Sequence, residues 1–253
     1  MDQLKGRHAL VTGGGRGIGA AIAKALSADG ATVTIVGRDR EALRARVDEG
    51  LACDWEACDV TDAEALGAAC RTLADRRGPI DILVSNAGAA FSAPFAKTRD
   101  DDFRRMLELN LMGPVHGVRA VLPGMTERGW GRVVTVASTA ALKGYAYVTA
   151  YSAAKHAVLG FTRALALETA RSGVTVNCVC PGFTDTDLVA GSVDLIMQKS
   201  GRSADQVREE FTRANPQGRL VEPREVASAV SWLCSPAAGS VTGVALTVAG
   251  GEI

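Results

Sequence analysis

The sequence is poor in histidine, aromatic residues and net charge. Only three histidines occur among 253 residues, and phenylalanine, tryptophan and tyrosine together make up 5%. The six cysteines form no CxxC pair, so we expect no metal in a structural zinc site. Lysine plus arginine (28) balances aspartate plus glutamate (28), which argues against nucleic acid or an anionic membrane surface as a partner.

Long apolar runs are also missing from the sequence. None approaches the roughly 20 residues that span a bilayer, and the first residues contain no apolar secretory segment. The sequence therefore predicts no membrane partner and favours a cytoplasmic location with reduced thiols. Hydrophobic residues (47%) and charged residues (22%) occur in proportions typical of a packed globular protein.

Short β-rich runs alternate with longer, alanine-rich helical patterns along the chain. This alternation is typical of a parallel sheet with helices on both faces, and the length suits one domain over residues 1–253. We predict an α/β fold with a doubly wound, Rossmann-like sheet of about seven parallel strands. The predicted strands lie near 8–12, 31–36, 52–58, 80–84, 132–138, 174–180 and 244–248. The predicted helices lie near 17–29, 40–49, 62–77, 99–125, 150–172 and 223–234.

One polar stretch, residues 183–217, breaks this alternation. It follows Pro181-Gly182, reaches just past Pro216 and has only weak helical patterning. A segment of this length inside a compact domain is usually a lid or a binding loop, so we predict a substrate lid here. An exposed loop without a function is the alternative.

A glycine-rich turn joins the first predicted strand to the first predicted helix. At this position, backbone N–H groups and a helix N-terminus can hold a pyrophosphate. The spacing differs from the dinucleotide fingerprint GxGxxG, so the turn alone leaves a simple tight connection open. The candidate cofactor-binding residues in the turn are Gly13, Gly15, Arg16, Gly17, Ile18 and Gly19.

The end of the second predicted strand bears on which dinucleotide binds. An acidic residue there would accept from the ribose 2′-hydroxyl of NAD, but the sequence has glycine followed by Arg38. The guanidinium groups of Arg38 and Arg16 match the geometry of a 2′-phosphate, so we favour NADP(H) as cofactor. NAD(H) is the alternative, with Arg38 solvated and Asp39 turned towards the ribose.

Tyr151 and Lys155 are four residues apart on a predicted helix and share one face. A phenol with a pKa near 10 is a poor base at neutral pH, and a nearby ammonium lowers that pKa. The pair therefore makes sense as an acid/base unit. Because such spacing is common by chance, an ordinary amphipathic helix remains the alternative for this motif alone.

Several motifs occur in one order along the chain. They are Thr12-Gly13-x3-Gly17-x-Gly19, Asp59-Val60, Asn86-Ala87-Gly88, Asn110, Ser138, Tyr151-x3-Lys155 and Pro181-Gly182. Together they closely resemble the classical short-chain dehydrogenase/reductase family over essentially the whole chain. The resemblance implies that Tyr151 exchanges a proton with the substrate oxygen and that Ser138 donates a hydrogen bond to it. It also implies that Lys155 lowers the tyrosine pKa and binds the nicotinamide ribose, while Asn110 holds a water between Lys155 and solvent.

The same resemblance implies further cofactor contacts. Asp59 and Val60 would meet the adenine, and the segment after strand four would line the adenosine and ribose. The turn after strand six would meet the nicotinamide end. Two structural alternatives stay open: Asn86 stabilises the sheet, and Asp59 caps the following helix. The residues concerned are Asp59, Val60, Asn86, Ala87, Gly88, Tyr151, Lys155, Pro181, Gly182, Phe183 and Thr186.

The resemblance implies an NAD(P)(H)-dependent oxidoreductase that interconverts a carbonyl and a secondary alcohol, and a homotetramer. Residues 179–186 and 218–223 are similar to those of members that act on 3-oxoacyl or 3-hydroxyacyl thioesters of CoA or an acyl carrier. The alternatives are a small alicyclic or aromatic ketone or alcohol, a hydroxy acid, or a catalytically silent dinucleotide-binding regulator.

We expect the pocket between residues 89–95, 139–147 and 183–217, because these segments follow the carboxyl ends of predicted strands. Its candidate lining residues are Phe91, Leu142, Lys143, Tyr145, Tyr147, Phe183 and Leu188. Lys143, Arg202 and Arg213 are candidates to attract a CoA phosphate or a carboxylate.

Overall fold

The computed structural model describes residues 2–253, apart from the side chains of Leu188, Leu195, Gln198, Lys199 and Ser200. Its strands are β1 (His8–Thr12), β2 (Thr32–Gly37), β3 (Asp54–Ala57), β4 (Ile82–Ser85), β5 (Gly131–Val136), β6 (Val174–Pro181) and β7 (Ala245–Val248). Within the described residues they form one parallel, seven-stranded sheet in the order β3-β2-β1-β4-β5-β6-β7.

The α-helices in this part of the chain cover both faces of the sheet. They are α1 (Gly17–Ala28), α2 (Arg40–Asp48), α3 (Ala63–Arg77), α4 (Asp100–Leu107), α5 (Gly113–Glu127), α6 (Thr149–Thr169), α7 (Asp187–Ser200), α8 (Ala204–Arg213) and α9 (Pro223–Cys234). Each helix in residues 2–253 is too short or too polar to cross a membrane.

Two hydrophobic cores lie on opposite faces of the sheet. One includes Ile22 of α1 and Val226 of α9, and the other includes Leu66 of α3 and Val121 of α5. The strands between them are rich in valine, and β5 is buried at every residue. Continuous apolar strands are expected where helices cover both faces, so the predicted α/β, doubly wound fold is confirmed.

The order of the strands reverses between β1 and β4. Thr12, the last residue of β1, pairs with Val36 of β2 and with Ser85, the last residue of β4. The carboxyl ends of these strands are therefore level at one edge of the sheet. Ligands of open α/β sheets bind at such a reversal, and the predicted site residues follow these strands.

The helix predicted over 99–125 is interrupted in the structure. α4 ends at Leu107, a π-helical segment occupies Glu108–Met112, and α5 begins at Gly113. Pro114 has no backbone N–H to donate to the carbonyl of Asn110, which favours a local change of hydrogen-bond pattern. Asn110 therefore lies in a π-helical turn rather than in a continuous α-helix.

The predicted lid contains two helices, α7 and α8, although its sequence has only weak helical patterning. Ser203 and Gln206 form a reciprocal capping box at the start of α8. This Ser-x-x-Gln spacing is a helix-start signal that was present in the sequence. α7 ends at Ser200, and its C-cap residue Gly201 has a left-handed φ of +69°.

Candidate active site

The glycine-rich turn after β1 packs against the residues that follow β4. Asn86 donates from Nδ2 to the carbonyl oxygens of Thr12 (3.1 Å) and Gly13 (3.2 Å). The hydroxyl of Thr12 accepts from the backbone N–H groups of Asn86 and Ala87, each at 3.0 Å. The structural alternative for Asn86 is therefore supported, because its side chain joins the ends of two strands.

Two glycines are required by the geometry of this turn. Gly13 has a left-handed φ of +66°, which a residue with a Cβ rarely adopts. A Cβ at Gly19 would overlap the carbonyl oxygen of Gly13 and approach Asn86 Nδ2 to 2.5 Å. The turn therefore keeps its shape only with glycine at both positions.

The first turn of α1 is suited to binding an anion. Arg16 is its N-cap residue, has extended backbone and makes no capping hydrogen bond with its side chain among the described residues. Gly15, Gly17 and Ile18 complete the turn that leads into the helix. Thr186 lies across it, since its Cγ2 would be 3.5 Å from a Cβ at Gly17. The backbone N–H groups at the start of α1, which follow the glycine-rich turn, can therefore bind a pyrophosphate.

The residues after β2 leave one arginine facing solvent. The side chain of Arg38 is 77% exposed, and its Nη1 lies 3.9 Å from Oδ2 of Asp59. Asp39 caps α2 by accepting from the backbone N–H of Ala42 at 3.1 Å. Asp39 therefore has a structural role as the N-cap of α2, and the alternative in which it turns to the ribose stays a prediction.

The residues after β3 correct one expectation. The carboxylate of Asp59 accepts from the backbone N–H and the hydroxyl of Thr61, at 3.0 and 2.8 Å. These bonds hold the pKa of Asp59 below its usual value, helped by Arg38. The cap of α3 is Asp62, so the capping alternative for Asp59 is wrong. Val60 is buried in the core, and its side chain packs on α5 at Gly113.

Ser138 and Tyr151 meet at the carboxyl end of β5. Ser138 lies two residues beyond the strand, and its Oγ accepts from the backbone N–H of Ala140 at 3.1 Å. Burial raises the pKa of the Tyr151 phenol, while a hydrogen bond with Ser138 acts in the opposite direction. Tyr151 is therefore neutral at pH 7, and a neutral phenol is the form that can donate a proton.

Lys155 lies one turn further along α6 and is buried. Its Nζ donates to the backbone carbonyl of Val136 at 3.0 Å and is 5.6 Å from the centroid of the Tyr151 ring. Burial lowers the pKa of Lys155 to about 8. Burial is the largest influence on the Tyr151 pKa and raises it, and the lowering of that pKa by Lys155 stays a prediction.

Asn110 faces Lys155 across Gly88. Its Nδ2 donates to the carbonyl oxygens of Ala89 and Met106, both at 3.1 Å. Its Oδ1 is buried and has no hydrogen-bond partner among the described residues. A Cβ at Gly88 would lie 2.8 Å from this Oδ1 and 3.7 Å from Lys155 Nζ. An unpaired amide oxygen close to an ammonium fits the water that the family resemblance implies at Asn110.

Comparison with known proteins identifies the family. The sequence profile described as short chain dehydrogenase matches residues 7–196. The chain belongs to this family. As a short-chain dehydrogenase it is an oxidoreductase that acts on carbonyl and alcohol groups and binds a nicotinamide dinucleotide.

The similarity to individual relatives extends over nearly the whole chain. The 3-oxoacyl-(acyl-carrier-protein) reductase of Vibrio harveyi is 42% identical over 251 residues, covering 98% of each chain. The D-beta-hydroxybutyrate dehydrogenase of Cupriavidus necator is 38% identical over 255 residues, covering 99% of each chain. A crystal structure of a single-residue variant of actinorhodin polyketide ketoreductase with NADPH is 39% identical and has a TM-score of 0.93. That comparison covers 99% of this chain and 98% of the other.

The three predicted pocket segments of this short-chain dehydrogenase come together in space. The backbone N–H of Ala93 donates to the carbonyl of Tyr147 at 2.8 Å, which joins the loops after β4 and β5. Tyr145 and Phe183 are in edge contact at 6.0 Å, and Phe183 contacts Phe211 of α8 at 4.7 Å. The lid helices are therefore tied to the loop that carries Ser138. The side chain of Leu188, another predicted lining residue, lies outside the described residues.

The three cations predicted to attract a phosphate or carboxylate are each paired with an acid. Lys143 Nζ is 3.0 Å from Glu252, Arg202 is 2.9 Å from Glu210, and Arg213 is 3.1 Å from Glu209. Their charges are therefore compensated within the chain.

Several further residues shape this site and are not among those predicted from the sequence. Thr12 belongs to the glycine motif but was not chosen, although its hydroxyl holds the loop after β4. Gly14 has no room for a Cβ because it would overlap Ile35. Val136 binds Lys155 through its backbone, and Glu252 lies 109 residues beyond Lys143. Residue type or local spacing signals neither of these last two contacts.

Proposed function

We propose that this short-chain dehydrogenase reduces 3-oxoacyl thioesters, carried on CoA or an acyl carrier protein, to 3-hydroxyacyl thioesters. The observation that carries the proposal is the grouping of Ser138, Tyr151, Lys155 and Asn110 at one end of the sheet. The activity named for the Vibrio harveyi relative supports the substrate class. We also propose that residues 1–253 act as one domain.

Each catalytic side chain has a different role in the reduction of the substrate carbonyl. Tyr151 donates its phenolic proton to the carbonyl oxygen as that oxygen gains charge. Ser138 donates a hydrogen bond to the same oxygen, which its Oγ can do while it accepts from Ala140. The water held by Asn110 Oδ1 and Lys155 connects the site to solvent and returns a proton to Tyr151. A bound nicotinamide dinucleotide supplies the hydride.

The cofactor would be held by three groups of residues. The turn formed by Gly13, Gly15, Arg16, Gly17, Ile18 and Gly19 binds the pyrophosphate. Asp59 and the backbone of Val60 lie towards the adenine, and Asn86, Ala87 and Gly88 line the adenosine. Tyr151 and Lys155, with Pro181, Gly182, Phe183 and Thr186, bind at the nicotinamide end.

NADPH is the preferred form of the cofactor in this proposal. Arg16 in the glycine turn and Arg38 after β2 are both exposed, and Asp39 caps α2. A guanidinium pair suits the ribose 2′-phosphate better than a 2′-hydroxyl. The ketoreductase structure with NADPH supports the same preference, whereas NAD(H) is the alternative.

A free hydroxy acid is the second candidate substrate, because one relative is a D-beta-hydroxybutyrate dehydrogenase. A substrate with a free carboxylate needs an uncompensated cation nearby, and Lys143 is paired with Glu252. The thioester is therefore favoured. A catalytically silent regulator is disfavoured because Ser138, Tyr151, Lys155 and Asn110 are all present.

Initial rates test the substrate and cofactor together. Oxidation of NADPH and of NADH would be followed by absorbance with acetoacetyl-CoA, acetoacetate, and cyclic and aromatic ketones. We expect NADPH with acetoacetyl-CoA to have the highest kcat/KM. Faster turnover of acetoacetate or of free ketones would contradict the thioester proposal, and faster turnover with NADH would contradict the role of Arg38 and Arg16.

Assembly and location are proposed separately from the reaction. We infer a homotetramer from the family resemblance; Leu167 and Trp232 are exposed apolar side chains that an interface would cover. Light scattering on the purified protein would measure the mass directly.

The cytoplasmic location stays a prediction, and the free cysteines accord with it.

A further inference from the structure

Glu252 places a buried carboxylate on the substrate side of the sheet. Its side chain is 2% exposed, and its Oε1 lies 3.0 Å from the Nζ of Lys143. The hydroxyl of Tyr145 donates to the same oxygen. Lys143 also donates to the backbone carbonyl of Glu252 at 3.4 Å. The end of the chain is thus bound to the loop that follows β5.

The second carboxylate oxygen of Glu252 is not satisfied. Oε2 is buried and has no hydrogen-bond partner among the described residues. It faces the turn after β6, where a Cβ at Gly182 would lie 3.0 Å away. A buried, unpaired carboxylate oxygen is costly to the fold, so its position next to the pocket calls for a functional reason.

The Lys143–Glu252 pair lies close to the catalytic group. Tyr145 links the two, because its hydroxyl oxygen accepts from the hydroxyl of Thr139 at 2.6 Å, and Thr139 directly follows Ser138. The phenol of Tyr151 is near enough to contribute to the raised pKa of Tyr145. The pair therefore lies beside the same pocket as Ser138 and Tyr151, where the residues after β5 and β7 meet the turn after β6.

We propose that the Lys143–Glu252 pair excludes free carboxylates from the substrate pocket, so that the enzyme selects neutral 3-oxoacyl esters and thioesters over 3-oxo acids. This inference rests on the proposed function. Lys143 is 39% exposed and would attract a substrate carboxylate if it stood alone. Glu252 cancels that charge, so a substrate carboxylate that loses hydration in the pocket finds no uncompensated cation there. A neutral ester carries no charge at this position and needs no such cation.

A pair of small substrates isolates the effect of charge. Acetoacetate and ethyl acetoacetate share the 3-oxo group and differ in whether the carboxyl group is charged. The quantity to measure is the ratio of kcat/KM for the ester to kcat/KM for the acid, with NADPH at saturation. A loss of activity common to both substrates cancels in this ratio, so damage to the fold or to the catalytic group does not change it.

Glu252→Gln is the main variant, because glutamine keeps the shape and can still accept from Tyr145. We expect the ratio to fall by about tenfold at low ionic strength, because Lys143 becomes uncompensated. The kcat/KM of this variant for acetoacetate should also decrease as salt is added. Lys143→Met leaves the carboxylate of Glu252 without its counter-charge. In this variant we expect the ratio to rise by a few-fold. The double variant Lys143→Met/Glu252→Gln should restore the ratio of the unmodified protein to within about threefold.

An unchanged ratio in Glu252→Gln, or a ratio that moves in the same direction in both single variants, would overturn the inference. If Glu252→Gln does not fold, Lys143→Met alone tests the inference. A ratio that does not rise in Lys143→Met then overturns the inference. Failure of the proposed function has a different signature. In that case the unmodified enzyme would reduce ethyl acetoacetate but not acetoacetyl-CoA, and the ratio would still report on the charge pair.

Discussion

Lys155 donates a hydrogen bond from its buried Nζ to the backbone carbonyl of Val136, the last residue of β5, at 3.0 Å. Among the described residues, one carbonyl accepts a hydrogen bond from this ammonium, which burial has removed from water. Its pKa falls from the ordinary 10.5 to about 8, so the charged form is less favourable in the folded protein than in the unfolded chain. The water expected at Asn110 would add a second partner.

The lowered pKa of Lys155 predicts how stability depends on pH. Between about pH 8 and 10.5 the unfolded chain binds more protons at this residue than the folded protein, so this contribution to stability increases with pH. We expect Lys155→Met to abolish that contribution, worth up to about 3 kcal/mol across the interval. Denaturant unfolding of both proteins at pH 7, 8, 9 and 10 measures it. A difference in unfolding free energy that does not change with pH would contradict the lowered pKa.

Replacing Tyr151 by phenylalanine removes the proposed proton donor and leaves the ring in place. We expect kcat for acetoacetyl-CoA to fall by about 10²- to 10⁴-fold, while NADPH binding, measured by fluorescence titration, remains. Tyr147→Phe is the matched control, because its side chain lies just before α6 and is mainly exposed, and it should lose far less. Retained turnover in Tyr151→Phe would refute the role of this phenol.

Arg38→Ala tests the preference for NADPH. Loss of a charged hydrogen bond to the 2′-phosphate should weaken NADPH binding by about 1.5–3 kcal/mol and leave NADH binding almost unchanged. Arg40→Ala is a control for removing a nearby exposed arginine, and it should affect both cofactors equally. The Kd values of NADPH and NADH for each variant decide the matter. If Arg38→Ala weakens the binding of NADPH and NADH equally, this arginine does not bind the ribose 2′-phosphate.

The hydroxyl of Thr12 should stabilise the fold as well as the cofactor site. Thr12→Val keeps the shape but leaves the backbone N–H groups of Asn86 and Ala87 without their acceptor. We expect the unfolding free energy to decrease by about 2 kcal/mol or more. Thr12→Ser retains the oxygen and should lose about 1 kcal/mol, for one buried methyl group. Equal destabilisation in the two variants would mean that packing, not hydrogen bonding, is the contribution of Thr12.

A methyl group at Gly19 should disrupt the phosphate-binding turn. In Gly19→Ala the new Cβ would overlap the Gly13 carbonyl, so the turn must move and NADPH binding should weaken at least about tenfold. Gly160→Ala is the matched control on α6, where a Cβ meets nothing within 4 Å. It should leave NADPH binding unchanged and stabilise the protein by about 1 kcal/mol. Normal NADPH affinity in Gly19→Ala would show that the turn tolerates the added group.

Local patterns in the sequence were enough to predict the architecture and most of the proposed site. The buried face of a strand recurs every two residues and that of a helix about every four, so apolar residues repeat with these periods in the sequence. The glycine turn and the four-residue spacing of Tyr151 and Lys155 are equally local, so their positions follow directly from chain order. The π-helical turn at Asn110 is partly signalled by Pro114, but its inward amide depends on contacts with Ala89.

Contacts between distant segments, and the electrostatics that follow from them, were decided only by the folded chain. Burial sets the direction of the pKa shifts of Tyr151 and Lys155, and burial is a property of everything packed around them. The choice of Asp62 over Asp59 as a cap depends on the residue at which α3 begins. The pairing of Lys143 with Glu252 joins two loops separated by more than a hundred residues. No periodic pattern in the sequence predicts this pairing, because the two residues come together only when β5 and β7 are in the folded sheet.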